Sequence, residues 1–184
     1  MMRKLQFSKD FSSAECHFIT ANDIRFAYKS FGLATGTPLI HLAHFRGTMD
    51  HIDPEVADRI AARRPLIIFD NIGVGRTSGE IPKSFHEAAS ACASFIQALE
   101  LDLVDIWGYS MGGCVAQMLS LNYPNLVRRL VLCCAPPSIG NGVTPPSVSA
   151  FKKIATAHTD QQVLSSFLRY CFTSSAESQE AGRK

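Results

Sequence analysis

Ile106-Trp107-Gly108-Tyr109-Ser110-Met111-Gly112-Gly113 is the stretch that decides how the chain is read. The apolar run Leu103-Val104-Asp105-Ile106-Trp107 leading into it has the character of a buried strand. Cys114 to Tyr123 after it sets Val115, Met118 and Leu119 at helical spacing. Gly108-x-Ser110-x-Gly112 thus stands between a strand and a helix, the pattern of a nucleophile elbow. A turn that tight leaves no room for side chains two before and two after the serine, so Gly108 and Gly112 are expected to be structural at the site. The strain would hold the Ser110 hydroxyl clear of the sheet, at a helix N-terminus whose free N–H groups and dipole favour developing negative charge. The same pattern also arises in plain tight connections, so the surrounding segments must decide.

Upstream, Ser84-Phe85-His86-Glu87 reads as a capping box opening a helix with Phe85, Ala88, Ala89, Cys92, Phe95, Ile96 and Leu99 on one apolar face. Leu66-Ile67-Ile68-Phe69 is a buried strand ending in Asp70-Asn71-Ile72-Gly73-Val74-Gly75-Arg76. These glycines are no phosphate loop, because no G-K-S/T follows and no third glycine opens a helix. The turn reads instead as one in which Asp70 bonds loop N–H groups and Arg76 pairs with an acid. Glu55 to Arg64 has helical spacing, with Arg63 and Arg64 suited to a helix C-terminus before Pro65. Leu39 to Ala43 is a near-continuous apolar strand, followed by the loop His44-Phe45-Arg46-Gly47. Earlier still, 16–20 and 24–31 form a hairpin about Ala21-Asn22-Asp23, the second run alternating apolar and polar. Residues 1–15 read as a loose lead-in.

Downstream, Val127 to Cys134 is a further strand, then a Gly/Pro/Ser-rich loop, two helical patterns over 148–157 and 161–172, and a polar tail with no terminal strand or helix. The expected fold class is α/β: a doubly wound, mostly parallel sheet fronted by an antiparallel hairpin, with the last strands missing. The expected division is the lead-in 1–15, an α/β core over 16–140, and a partial helical lid with a polar tail over 141–184.

The hairpin, the His44-Phe45-Arg46-Gly47 loop, the Asp70-to-Arg76 turn and Gly108-Tyr109-Ser110-Met111-Gly112-Gly113, in that order, resemble the α/β-hydrolase superfamily. They are most similar to its small esterase, lactonase and haloperoxidase-like branch, over about residues 16 to 135. The resemblance implies Ser110 as catalytic nucleophile and Met111 as donor of one oxyanion N–H. The second N–H would come from Arg46 or Phe45, Arg46 by register with the usual His-Gly opening, with His44 bracing the loop. It also implies an acid and a histidine on later loops. After Ser110 the only acids are Asp160, Glu177 and Glu180 and the only histidine is His158, all outside such loops. The chain therefore reads as C-terminally truncated, without its proton shuttle, and the strand over 127–134 as an exposed apolar edge open to self-association.

Composition narrows the partners. A net charge of +2 with 18% charged residues makes no case for nucleic acid or an anionic membrane surface. No apolar run of membrane-spanning length occurs, and the N-terminus lacks the apolar core of a secretory signal. The six cysteines form no C-x-x-C pair and are expected buried and reduced in a cytoplasmic protein. The loop histidines His44 and His51 lack a matching ligand cluster, so neither metal nor cofactor is expected. Two functions follow. One is a serine hydrolase acting on a small-molecule ester, lactone or similar acyl bond, weak or inactive as this chain. The other is a non-catalytic hydrolase-like remnant serving as a binding or interaction module.

Overall fold

Asn22 and Asp23 both adopt left-handed backbone, at φ 47° and 63°, and close the two-residue turn between β1 (His17–Ala21) and β2 (Ile24–Gly32). Such a turn matches the right-handed twist of the strands it joins. β3 (Leu39–Leu42), β4 (Pro65–Phe69), β5 (Val104–Tyr109) and β6 (Val127–Cys133) complete a six-stranded sheet of order β1-β2-β4-β3-β5-β6. β2 pairs antiparallel with β4, and every pair beyond it is parallel. This is the mixed α/β sheet with an antiparallel hairpin that the sequence predicts. The computed structural model describes residues 5–137 and 147–183. It divides into two units, Met1–Pro137 and Ser138–Lys184.

Both faces of the central strands β3 and β4 are covered, which explains their unbroken apolar runs. Ile40, Leu42, Ile67 and Phe69 point to the side of α2 (Phe85–Ala98) and α3 (Met111–Asn122), where they join Phe95, Ile96, Val115 and Leu119. Leu39, Leu66 and Ile68 point to the other side and pack with Ala57 and Ala61 of α1 (Pro54–Ala61). The alternation of period two within each strand assigns every residue its side. Phe95 is the hub of the larger cluster, stacked on Phe69 at 4.4 Å and tilted against Phe26 at 5.3 Å.

Several local expectations need correction. Gln6 to Ala14 is tied down rather than loose. The Ser8 N–H donates to the Ser30 carbonyl, Gly32 donates back to Ser8, the Phe11 N–H reaches Asp58, and Ala14 is buried. The Ser84 hydroxyl accepts from the Glu87 N–H, but the Glu87 carboxylate accepts from Lys83 rather than Ser84, so the cap is not the reciprocal box. Phe85, assigned to the apolar face, is 45% exposed. α1 ends at Ala61, and Arg64 bonds the buried Asp105 and the Thr37 carbonyl instead of capping the helix. All six cysteines are free thiols, but only Cys92 is buried: Cys16, Cys114 and Cys133 are partly exposed, and Cys134 and Cys171 are exposed.

The second unit consists of α4 (Val148–Ala155), α5 (Asp160–Cys171) and α6 (Ala176–Ala181), whose first turns are capped by the hydroxyls of Ser147, Thr159 and Ser175. α6 occupies the tail expected to hold no helix; Ser175 supplied a cap signal that its polar sequence concealed. The middle of the Gly/Pro/Ser-rich loop, 138–146, lies outside the described residues.

Candidate active site

Ser110 stands where β5 ends and α3 begins, with backbone angles φ 54° and ψ −120°. A non-glycine residue at positive φ is costly and persists only where its surroundings over-determine it. Here the surroundings are explicit. The Ser110 N–H donates to the Cys133 carbonyl at 2.8 Å, and the Ser110 carbonyl accepts from Gly113 at 2.9 Å. The Ser110 hydroxyl makes no capping bond to α3.

The flanking glycines are required for two different reasons. A Cβ at Gly108 would lie 2.6 Å from the Gly113 Cα, inside the elbow itself. A Cβ at Gly112 would instead overlap the Leu42 carbonyl oxygen and come within 2.6 Å of the Ala43 oxygen. Gly112 therefore lets the first turn of α3 press against the end of β3, a contact across strands that the sequence argument did not foresee. Gly113 has the same need, since its Cβ would overlap the Ala135 side chain.

The loop expected to face the serine leaves β3 at that point. Leu42 pairs with Gly108, so β3 and β5 end side by side, with His44, Phe45 and Arg46 at one and Ser110 and Met111 at the other. The loop reverses through a tight turn in which the Gly47 N–H donates to the His44 carbonyl at 2.9 Å and Arg46 is left-handed at φ 63°. His44 places its Nδ1 2.9 Å from the Phe45 carbonyl and its ring edge-on to Tyr109 at 5.8 Å. His51 accepts the Thr48 N–H at its Nδ1, a capping bond rather than metal ligation. Among the described residues, no group of three or more His, Cys, Asp or Glu is placed to hold a metal ion.

Asp70 fastens the loop from behind. It is fully buried, accepting the Met49 N–H at 2.7 Å with one carboxylate oxygen and the Arg76 N–H at 2.8 Å with the other. Gly75, at φ 57°, is glycine because a Cβ there would overlap that carboxylate. The acid that pairs with Arg76 is Asp50, at 2.7 Å, and Lys29 bonds its other oxygen at 3.3 Å. Burial pushes the Asp50 carboxyl up, but the hydrogen bonds from Arg76 and Lys29 outweigh it and hold the group below its ordinary value.

Two further groups carry no signal in the motif. His41 in β3 is buried against Trp107 at 4.1 Å, with Nδ1 3.2 Å from the Trp107 carbonyl, and burial drives its pKa down to about 4. At the other end of β5, Asp105 is 1% exposed and receives Arg128 through both Nε and Nη2 and Arg64 through Nη2. The Arg128 bonds dominate in holding the Asp105 carboxyl below its ordinary value. His158 precedes α5 and Asp160 heads it, both in the second unit.

The model of the alpha/beta hydrolase fold family matches residues 35–181. Human ABHD5, named 1-acylglycerol-3-phosphate O-acyltransferase, is 30% identical over 110 residues, 56% of this chain and 31% of that protein. The RutD protein of Azorhizobium caulinodans is 31% identical over 98 residues, 53% of this chain and 37% of that protein. An alpha/beta hydrolase fold protein from Chitinophaga pinensis superposes with a TM-score of 0.79 at 29% identity, covering 95% of this chain and 62% of that one. The chain thus spans about a third of the length of these two curated relatives. With the motif order, the sheet order and the family match in agreement, the chain belongs to the α/β-hydrolase fold family.

Proposed function

We propose that the chain is a serine hydrolase module for small-molecule acyl compounds, with Ser110 as nucleophile. The observation that carries this reading is the left-handed Ser110 backbone at the strand-to-helix junction, because strain of that kind is kept where a hydroxyl must be presented. Oγ would attack the acyl carbon as the carbonyl electrons move to oxygen. The N–H groups of Met111 and of Arg46 or Phe45 would stabilise the oxyanion until the leaving group departs. A base must take the hydroxyl proton, and within these 184 residues the only histidine after Ser110 is His158. Loss of the triad histidine lowers turnover by about 10⁶, leaving roughly 10³ to 10⁴ over water. The module on these residues alone is accordingly expected to be a very slow catalyst.

An ester, a lactone or a related acyl bond all suit this chemistry, and ABHD5 is named for acyl transfer. The free state of all six cysteines supports a reducing, cytoplasmic setting. The decisive experiment is labelling with a fluorophosphonate probe. Ser110 should be modified only slowly, at high probe concentration and long exposure, because no histidine of these residues activates it, and S110A should not be modified at all; equal labelling of S110A, or no labelling of folded protein even under those conditions, overturns the reading.

A second reading, an interaction module without catalysis, draws on β6. It is the edge strand, and Leu130, Val131 and Leu132 are 37%, 48% and 42% exposed. Self-association through that edge would appear as a concentration-dependent mass in light scattering, reversed by a proline at Val131.

A further inference from the structure

The first unit is electrically balanced: thirteen Lys and Arg face thirteen Asp and Glu over 1–137, so the net charge of +2 arises wholly from 138–184. Within the second unit, α4, α5, Gln179 of α6 and Arg183 just past it wall a cleft of about 530 Å³. Lys153 enters from the last turn of α4, Arg169 from the last turn of α5, and Arg183 from just past α6. Asp160, Glu177 and Glu180 do not line it. Among the described residues these three cations make no ion pair. Ser166 adds a hydroxyl, and Leu168, 8% exposed, adds an apolar side.

A helix C-terminus favours a cation, which accounts for Lys153 and Arg169 one at a time. It does not account for three exposed cations lining one cleft with no acid among its lining residues, an arrangement that favours an anion there. We propose that this cleft binds the dianion of a phosphate monoester. Two guanidinium forks match a tetrahedron of oxygens bidentately, and Lys153 contributes a mobile third charge. Arg169 lies over the Tyr170 ring at 5.8 Å, which limits where its fork can swing. The cleft is larger than a bare phosphate, so the organic part of the ester lies along Leu168. Its bearer is either a small phosphorylated metabolite or a lipid headgroup. The proposal is independent of any role for Ser110.

The test is a titration of the isotope-labelled full chain followed by amide NMR, first with inorganic phosphate and then with glycerol 3-phosphate. A sedimentation arm uses phosphatidylcholine vesicles with and without phosphatidic acid. Saturable shifts centred on Ser166, Arg169 and Arg183 are expected. R169Q and R183Q should each weaken binding about tenfold, as loss of one charge-assisted contact implies. Arg183 lies outside any helix and is exposed, so R183Q leaves the fold intact. Tighter binding of glycerol 3-phosphate than of phosphate identifies a soluble ligand, and cosedimentation only with phosphatidic acid identifies a membrane one. Shifts that never saturate, that spread over basic residues throughout the chain, or that persist unchanged in R169Q and R183Q overturn the proposal.

Discussion

Replacing Asp70 with Asn tests how the loop after β3 is held. The carboxylate spends one oxygen on the Met49 N–H at 2.7 Å and the other on the Arg76 N–H at 2.8 Å, with no water-accessible surface of its own. Asn keeps a single acceptor oxygen and must turn its NH₂ toward the second N–H. One charge-assisted bond disappears, worth about 1.5–3 kcal/mol, and a buried donor then faces a donor, at about 1–3 kcal/mol. The two effects overlap, so the expected loss is about 3 kcal/mol. With a urea m value of about 1–3 kcal/mol/M, the midpoint should fall by about 1–3 M. Met49 lies three residues after Arg46, so on the proposed roles of Ser110 and of the Phe45-Arg46 segment the slow fluorophosphonate labelling of the folded protein should fall further. A D70N midpoint that implies a change under about 0.5 kcal/mol would refute the reasoning, because only a surface-like site tolerates such an exchange.

Three other outcomes follow from the same geometry. His41 titrates near 4 in the folded chain, below its unfolded value of about 6.5, so it folds neutral while the unfolded chain takes up a proton. Its contribution is complete above about pH 6.5 and drains as pH falls toward 4, by up to about 3 kcal/mol; H41Q should lack that acid limb in pH-dependent denaturation. Asp105→Asn should cost about 3 kcal/mol at neutral pH, the low end for a buried ion cluster because both arginines are partly exposed. Since the folded Asp105 pKa lies below its unfolded value, that stabilisation is present above about pH 4 and is lost as pH falls through the folded pKa, so parent and D105N should converge in acid. Gly112→Ala should cost about 3 kcal/mol or more in thermal unfolding, since the new Cβ meets backbone that no rotamer change can move; an unchanged melting temperature would count against the close approach of α3 to β3.

The parallel strands were legible because covering both faces of a sheet leaves long apolar runs, and the elbow because a strained turn demands glycine at fixed offsets. The partners of Asp70 were legible only in kind: a strand-ending aspartate before a glycine turn signals bonds to loop amides, but the Met49 N–H is 21 positions away in sequence. The Asp105 cluster was illegible, for an aspartate inside an apolar strand announces burial without saying which arginines meet it, and Arg64 passed for a helix-end charge. Likewise Phe85 kept helical spacing yet stayed exposed, because it opens its helix before the apolar stripe reaches the sheet. The lead-in hid its order in backbone bonds to β2, which composition does not encode. Gly112 carried the right residue for a reason the motif does not contain, the carbonyls of a neighbouring strand.

The bond from the Ser110 N–H to the carbonyl of Cys133 ties the turn that carries Ser110 to the rim of the sheet. With strands spaced about 4.8 Å apart, any polypeptide laid along β6 would run within about 10 Å of Ser110. On the proposed roles of Ser110 and of the β6 edge, site and docking edge would share one wall, and a partner at the second would be felt at the first.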